Sequence, residues 1–192
     1  MTNFDPATSA LLIMDFQNGI VGRAPDAPAL LARTARAIES ARARSMCVAY
    51  VRVAFDDADV KSMPSRNKMA EAIATYGDFI RSDNDATQIH ADVAPREGDI
   101  VVRKTRVGWF TSTDLEEQLR RRSITTLVLA GIATSGVVLS TVREAADRDY
   151  GLIVLADACA DFDQSVHDVL IEKVFPRQAD VIDVKTFTER RP

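Results

Sequence analysis

The sequence predicts an α/β fold: a parallel sheet of six strands with helices on both faces. Three observations carry this. Apolar runs of strand length recur along the chain, segments of helical period alternate with them, and no Pro/Gly/Ser-rich linker, repeat or low-complexity tract divides the 192 residues. A strand buried on both faces reads as an unbroken apolar run, and parallel neighbours need a long crossover, usually a helix. Right-handed crossovers of this kind build a three-layer, Rossmann-like sandwich. Its length predicts one domain, residues 1–192.

The elements follow in order. Ser9–Phe16 (SALLIMDF) is the first apolar run, and Ala27–Arg44 is a helix with Leu30, Leu31, Ala35, Ile38 and Ala41 along one face. Cys47–Phe55 is the second strand and Asp99–Lys104 the third. Thr113 and Glu116 match a capping box, so a helix is expected from there to Arg122. Thr125–Ile132 is the fourth strand, followed by a helix over Gly136–Asp149. Leu152–Ala156, a helix over Ser165–Phe175, and Val181–Val184 complete the alternation.

Composition excludes several classes. The chain is 46% hydrophobic and 27% charged, an ordinary globular balance, with a formal charge of −4. A nucleic-acid binder needs a basic surplus for its phosphate contacts, so none is expected. Cys47 and Cys159 cannot make a disulfide framework. Met1–Pro6 lacks a basic region followed by an apolar stretch, and no run reaches the ~20 apolar residues of a membrane span. A soluble, cytoplasmic protein without membrane contact is expected. Homo-oligomers are common for soluble enzymes of this size.

Ligands in open parallel sheets bind beyond the carboxyl ends of the strands, which singles out three places. Asp15 ends the first run, and a carboxylate there is either an acid or base tuned by its surroundings or a cap on the strand end. Lys104 ends the third strand in the same way. It is either a surface lysine or a cation that stabilises Asp15 and a substrate's negative charge. Gly131–Gly136 joins the fourth strand to its helix, where free N–H groups can hold an anion or where Thr134 or Ser135 can cap.

Together, LLIMDFQNG, KTRVGWFTSTDL and GIATSGVVLSTVREA resemble the isochorismatase-like hydrolase superfamily, over roughly Ala10 to Val184. The resemblance implies a hydrolase acting on a small molecule in a cleft at the sheet's carboxyl edge. In the cysteine-hydrolase branch an Asp acts as base, a Lys holds charge and a Cys attacks an amide-type carbon. It further implies a cis peptide between Ile132 and Ala133, and oxyanion donors in the backbone of Ala133 and Val137. Alignment on Gly131, Thr134 and Thr141 places Val137 where that Cys belongs. An isopropyl group has no lone pair, so covalent catalysis from there is excluded. Ser135 and Ser140 would have to enter the cleft from other helical angles.

True isochorismatases in the superfamily also lack the Cys and hydrolyse a vinyl ether. By resemblance the Asp protonates the enol-ether carbon and water attacks the oxocarbenium ion. That chemistry suits Asp15 with Lys104. The rival expectation is a relative that lost its nucleophile and keeps a pocket for ligand. The nicotinamidase branch carries an Asp and His metal cluster after the second strand; here AFDDADVKSM has no His, so no metal or cofactor is expected. Asp56, Asp57 and Asp59 read as a solvated loop, and His90 and His167 lie far apart in polar surroundings. Cys47 is expected to be a small core residue, and Cys159 to follow the fifth strand near the cleft rim. Phe16, Gln17, Arg106, Trp109 and Thr134 are the expected pocket residues, with Phe110 in the core.

Overall fold

The computed structural model describes residues 4–190. Its sheet runs β1 (Ser9–Met14), β2 (Cys47–Val53), β3 (Ile100–Lys104), β4 (Thr126–Ile132), β5 (Gly151–Ala160) and β6 (Asp180–Ile182). All five ladders are parallel, in the order β3-β2-β1-β4-β5-β6. The order reverses between β1 and β4, so the crevice of an open α/β sheet lies beyond Met14 and Ile132.

Every residue of β1 and β4 is buried. Side chains alternate across the sheet, which divides the core in two. Leu12 and Met14 join one cluster with Leu115 and Leu119 of α5 (Leu115–Arg121) and Val142 of α6 (Leu139–Ala146). Leu11 and Ile13 join the other, with Leu30 and Ile38 of α2 (Ala27–Ala43) and Phe187 of α8 (Val184–Glu189). Burial of such side chains contributes about 1.5–3 kcal/mol each.

Several local expectations are corrected. Asp114, not Thr113, stands at the N-cap of α5 and makes no side-chain capping bond. The Thr113 hydroxyl still accepts from the Leu115 N–H at 3.3 Å, while donating to the Trp109 carbonyl at 2.9 Å. The helix expected from Gly136 opens earlier, as a π-turn over Thr134–Val138 that Ala133 starts without a side-chain cap. The helix expected over Ser165–Phe175 is α7 (Gln164–Val169), capped by the Asp163 carboxylate, followed by a π-turn over Leu170–Val174. Strand β5 runs on to Ala160 after a register shift opposite Leu129/Gly131, so Cys159 lies inside the strand.

The largest correction falls between β2 and β3. The acidic stretch after β2 is no solvated loop but a helix start. Asp56 and Asp59 form a reciprocal capping box on α3 (Asp57–Ser62), and both carboxylates pair with Arg103. A further helix, α4 (Met69–Tyr76), follows. A four-residue helix, α1 (Asn18–Val21), leads away from the end of β1. Residues of α1 and α4 line one side of the crevice.

Candidate functional site

Asp15 follows the last residue of β1 in the left-handed region, at φ 61°, a conformation that Asp tolerates better than most residues. Its N–H still donates to Val51 O at 2.8 Å, so it is held against β2. Lys104 ends β3, two strands away. Its Nζ reaches Asp15 Oδ2 at 2.7 Å, with side-chain exposures of 2% and 7%. The ammonium also donates to Val107 O at 2.6 Å. Asp15 Oδ1 is buried and has no hydrogen-bond partner among the described residues. Burial raises the Asp15 carboxyl above the ordinary range, while the charge and hydrogen bond of Lys104 pull it back.

Both residues line a cavity of about 510 Å³ whose other walls are mostly apolar. Ile132, Ala133, Gly136 and Val137 form one wall, and the peptide between Ile132 and Ala133 is cis. Val137 itself is 2% exposed. Gly131 lets it sit there: a Cβ on Gly131 would meet Val138 Cγ2 at 2.8 Å and Val137 Cγ1 at 3.3 Å. Ser135 and Ser140 are not among the lining residues. The anion position at this helix start is already filled in part, because the Ser135 N–H donates to Asp161 Oδ2 at 2.7 Å.

Gln17 and Arg106 also line the cavity. The Gln17 amide is committed to structure, donating to Val53 O and Thr87 O at 2.8 Å each and accepting from Val53 N–H at 2.8 Å. One Arg106 guanidinium N–H donates to Thr105 O at 2.7 Å.

Three expected pocket residues lie elsewhere. Phe16 is packed into the α2-side core, and the Trp109 indole is fully buried on the other side of the sheet. Its Nε1 donates to Thr141 Oγ1 at 3.0 Å, and its ring stacks on Phe110 at 3.7 Å. A buried indole needs a partner for its N–H, and α6 supplies one. Thr134 is fully buried, and its hydroxyl lies 2.8 Å from His167 Nδ1. His167 is thus tied to the π-turn beside the cavity, and burial lowers its pKa.

The cysteines stand apart from the cavity lining. Cys159 is buried with Sγ 3.8 Å from Leu129 O, and burial pushes its thiol up to about 12. Cys47 is half-buried, and its thiol too is raised by burial. Sequence reasoning missed the cavity wall formed by Met69, Ala72, Tyr76 and Phe79. The signal was present: Met69, Ala72, Ile73 and Tyr76 recur at helical spacing.

Comparison with known proteins identifies the family of this fold. The isochorismatase domain matches residues 9–186. The isochorismatase family protein YwoC of Bacillus subtilis is 33% identical, over 91% of this chain and 89% of its own length. The ureidoacrylate amidohydrolase RutB of Methylobacterium radiotolerans is 36% identical, over 80% of this chain and 67% of its own. Among solved structures, an isochorismatase family protein from Burkholderia thailandensis superposes with a TM-score of 0.81 at 31% identity, covering 96% of this chain and 95% of that one. With a domain match spanning nearly all of its length, the chain belongs to the isochorismatase family of hydrolases.

Proposed function

We propose that this protein hydrolyses a small organic molecule in the cavity, with Asp15 moving the proton, Lys104 holding charge, and no covalent intermediate. The observation that carries this reading is the buried 2.7 Å pair of Lys104 with Asp15, whose second oxygen is left free beside Val137. A buried ion pair is costly to keep, and a cavity-lining acid whose pKa is raised by burial holds and delivers a proton more readily than an exposed carboxyl. For a vinyl ether, Asp15 protonates the enol-ether carbon and water adds to the oxocarbenium carbon. That water's proton returns to Asp15, and the hemiketal collapses to a ketone and an alcohol. Lys104 stabilises the carboxylate that forms while the cation exists. Val137 supplies no nucleophile to this scheme and needs to supply none.

The protein is read as a cytoplasmic homo-oligomer using neither metal nor cofactor. Among the described residues, no helix is long and apolar enough to cross a membrane. The test is pyruvate release from isochorismate by the native protein and by Asp15→Asn. Release that falls by at least ~100-fold in the variant, with its melting temperature unchanged or raised, supports the scheme. Equal release from both overturns Asp15, and none from the native protein removes the vinyl-ether form. The second reading, a ligand-binding relative without turnover, is favoured by Val137 alone.

A further inference from the structure

Helix α4 is amphipathic in sequence yet unburied in structure. Met69, Ala72, Ile73 and Tyr76 make one apolar face, but no residue of α4 is buried. Tyr76 is 44% exposed, and Phe79, just beyond the helix, is 69% exposed. An apolar stripe of this kind normally disappears into a core. Here Met69, Ala72 and Tyr76 face the cavity that also holds Asp15 and Lys104, with Phe55 and Ile132 among its other walls. Arg23 fastens this roof across the mouth: its guanidinium lies 5.0 Å over the Phe162 ring and donates to the Tyr76 hydroxyl at 3.3 Å.

We propose that the packing partner of α4 is the substrate: a molecule with an apolar arm, alkyl or aryl and several carbons long, attached to a compact polar head. This rests on the reading of Asp15 and Lys104 as the reacting end of the site. The cavity volume of about 510 Å³ fits a small molecule, and its mostly apolar lining with a few convergent polar groups is what such ligands require. A protein partner would meet Phe79 and Phe162 at the rim but leave the interior unfilled. Only Asp15 and Lys104 put a buried ion pair in that interior, and they set the head. Asp15 Oδ1 lacks a donor, and Lys104 can donate to an acceptor. A carboxamide serves as a probe of both contacts, because its N–H donates and its C=O accepts. The arm then lies under α4, away from the ion pair.

The test uses acetamide, butanamide and hexanamide as probes, with dissociation constants measured by calorimetry on the full-length protein. Each methylene that enters the cavity tightens binding about fourfold, so hexanamide, four methylenes longer, binds roughly 250-fold more tightly than acetamide. Ala72→Asp, which places a charge on the roof, and Ala72→Phe, which fills the space below it, each reduce that gradient to a few-fold. A flat series on the native protein overturns the arm site. So does a gradient that survives both substitutions. A flat series in which Ala72→Asp also lowers the sedimentation coefficient assigns the face to a second copy instead, and overturns the proposal. Asp15→Ala weakens all three probes equally. A gradient that persists while Asp15→Ala changes no dissociation constant supports the arm site and overturns only Asp15 as the head's partner, which separates this inference from the proposed reaction.

Discussion

Replacing Lys104 with Met isolates what the buried ion pair contributes, because Met keeps the apolar stem and removes only the charge. Asp15, 5% exposed, would then lose its one cation and the hydrogen bond from Nζ. Breaking a buried pair from one side costs about 3–5 kcal/mol when the remaining charge cannot escape. A carboxylate has an escape, since it can take up a proton. In the native protein the Asp15 pKa is already raised by burial. The folded state therefore binds more protons than the unfolded chain between the unfolded value near 3.8 and the folded value. Stability falls with rising pH across that window, by up to about 1.4 kcal/mol per pH unit. Lys104→Met removes the two larger of the three influences that lower this pKa and leaves only the Val53 backbone N–H, so the window extends further upward. The expected result in urea unfolding is a variant several kcal/mol less stable than native at pH 8, with the deficit shrinking toward pH 5. The double variant Lys104→Met/Asp15→Asn carries no buried charge and loses the pH dependence. A deficit constant from pH 5 to pH 8 would refute the reasoning, since it would mean that Lys104 stabilises the fold without acting on the charge of Asp15.

Three further outcomes follow from the geometry around the cavity. Val137→Cys folds with a loss of about 0.5–1.5 kcal/mol in urea unfolding, the range for removing one buried methyl group. It adds a cavity-facing thiol that iodoacetamide alkylates at pH 8, read by mass spectrometry, whereas Cys159, pushed up to about 12 by burial, stays unmodified. Gly131→Ala, whose new Cβ would meet Val138 at 2.8 Å and Met14 at 3.3 Å, lowers stability by about 1–3 kcal/mol through overpacking, seen as a lower urea midpoint. His167→Phe changes the pH profile of stability: the native His pKa is lowered, so native stability is complete above the unfolded pKa of about 6.5 and falls as pH drops below it. The variant loses that acid-side slope in thermal melts between pH 5 and 7.

Much of the sheet is legible in the sequence because its strands are buried on both faces. SALLIM and TLVLAGI have no polar side to confuse the period, and the structure ends them within two residues of expectation. Asp15 and Lys104 stand out for the same reason, as charges at the ends of apolar runs. Their contact is less legible, since β1 and β3 are separated in the sheet by β2. Trp109 and Phe16 show the limit of adjacency in sequence. Phe16 lies between two cavity residues in number and Trp109 lies two positions after Val107, yet packing needs and an indole N–H take them to opposite faces of the core. Asp56, Asp57 and Asp59 read as a solvated loop because acidic side chains dominate that stretch. In the folded chain those carboxylates cap α3 and neutralise Arg103, a pairing that no local pattern announces. The stripe on α4 had the right period, but it faces a cavity and not a core, which sequence alone does not distinguish.

The strand order also governs the sequence of events during synthesis. β1 leaves the ribosome well before one of its two neighbours, β4, which spans residues 126–132. Until those residues emerge, β1 can pair only with β2, and its other edge shows unpaired N–H and C=O groups between two apolar faces. Such edges recruit other chains. Long-range parallel pairing is also slow to form, because loop closure comes before the reward of contact. A nascent chain stopped anywhere between β3 and β4 would hold the Asp15–Lys104 half of the site without the wall from Ile132 to Val137. It would be both inactive and prone to association until translation resumes.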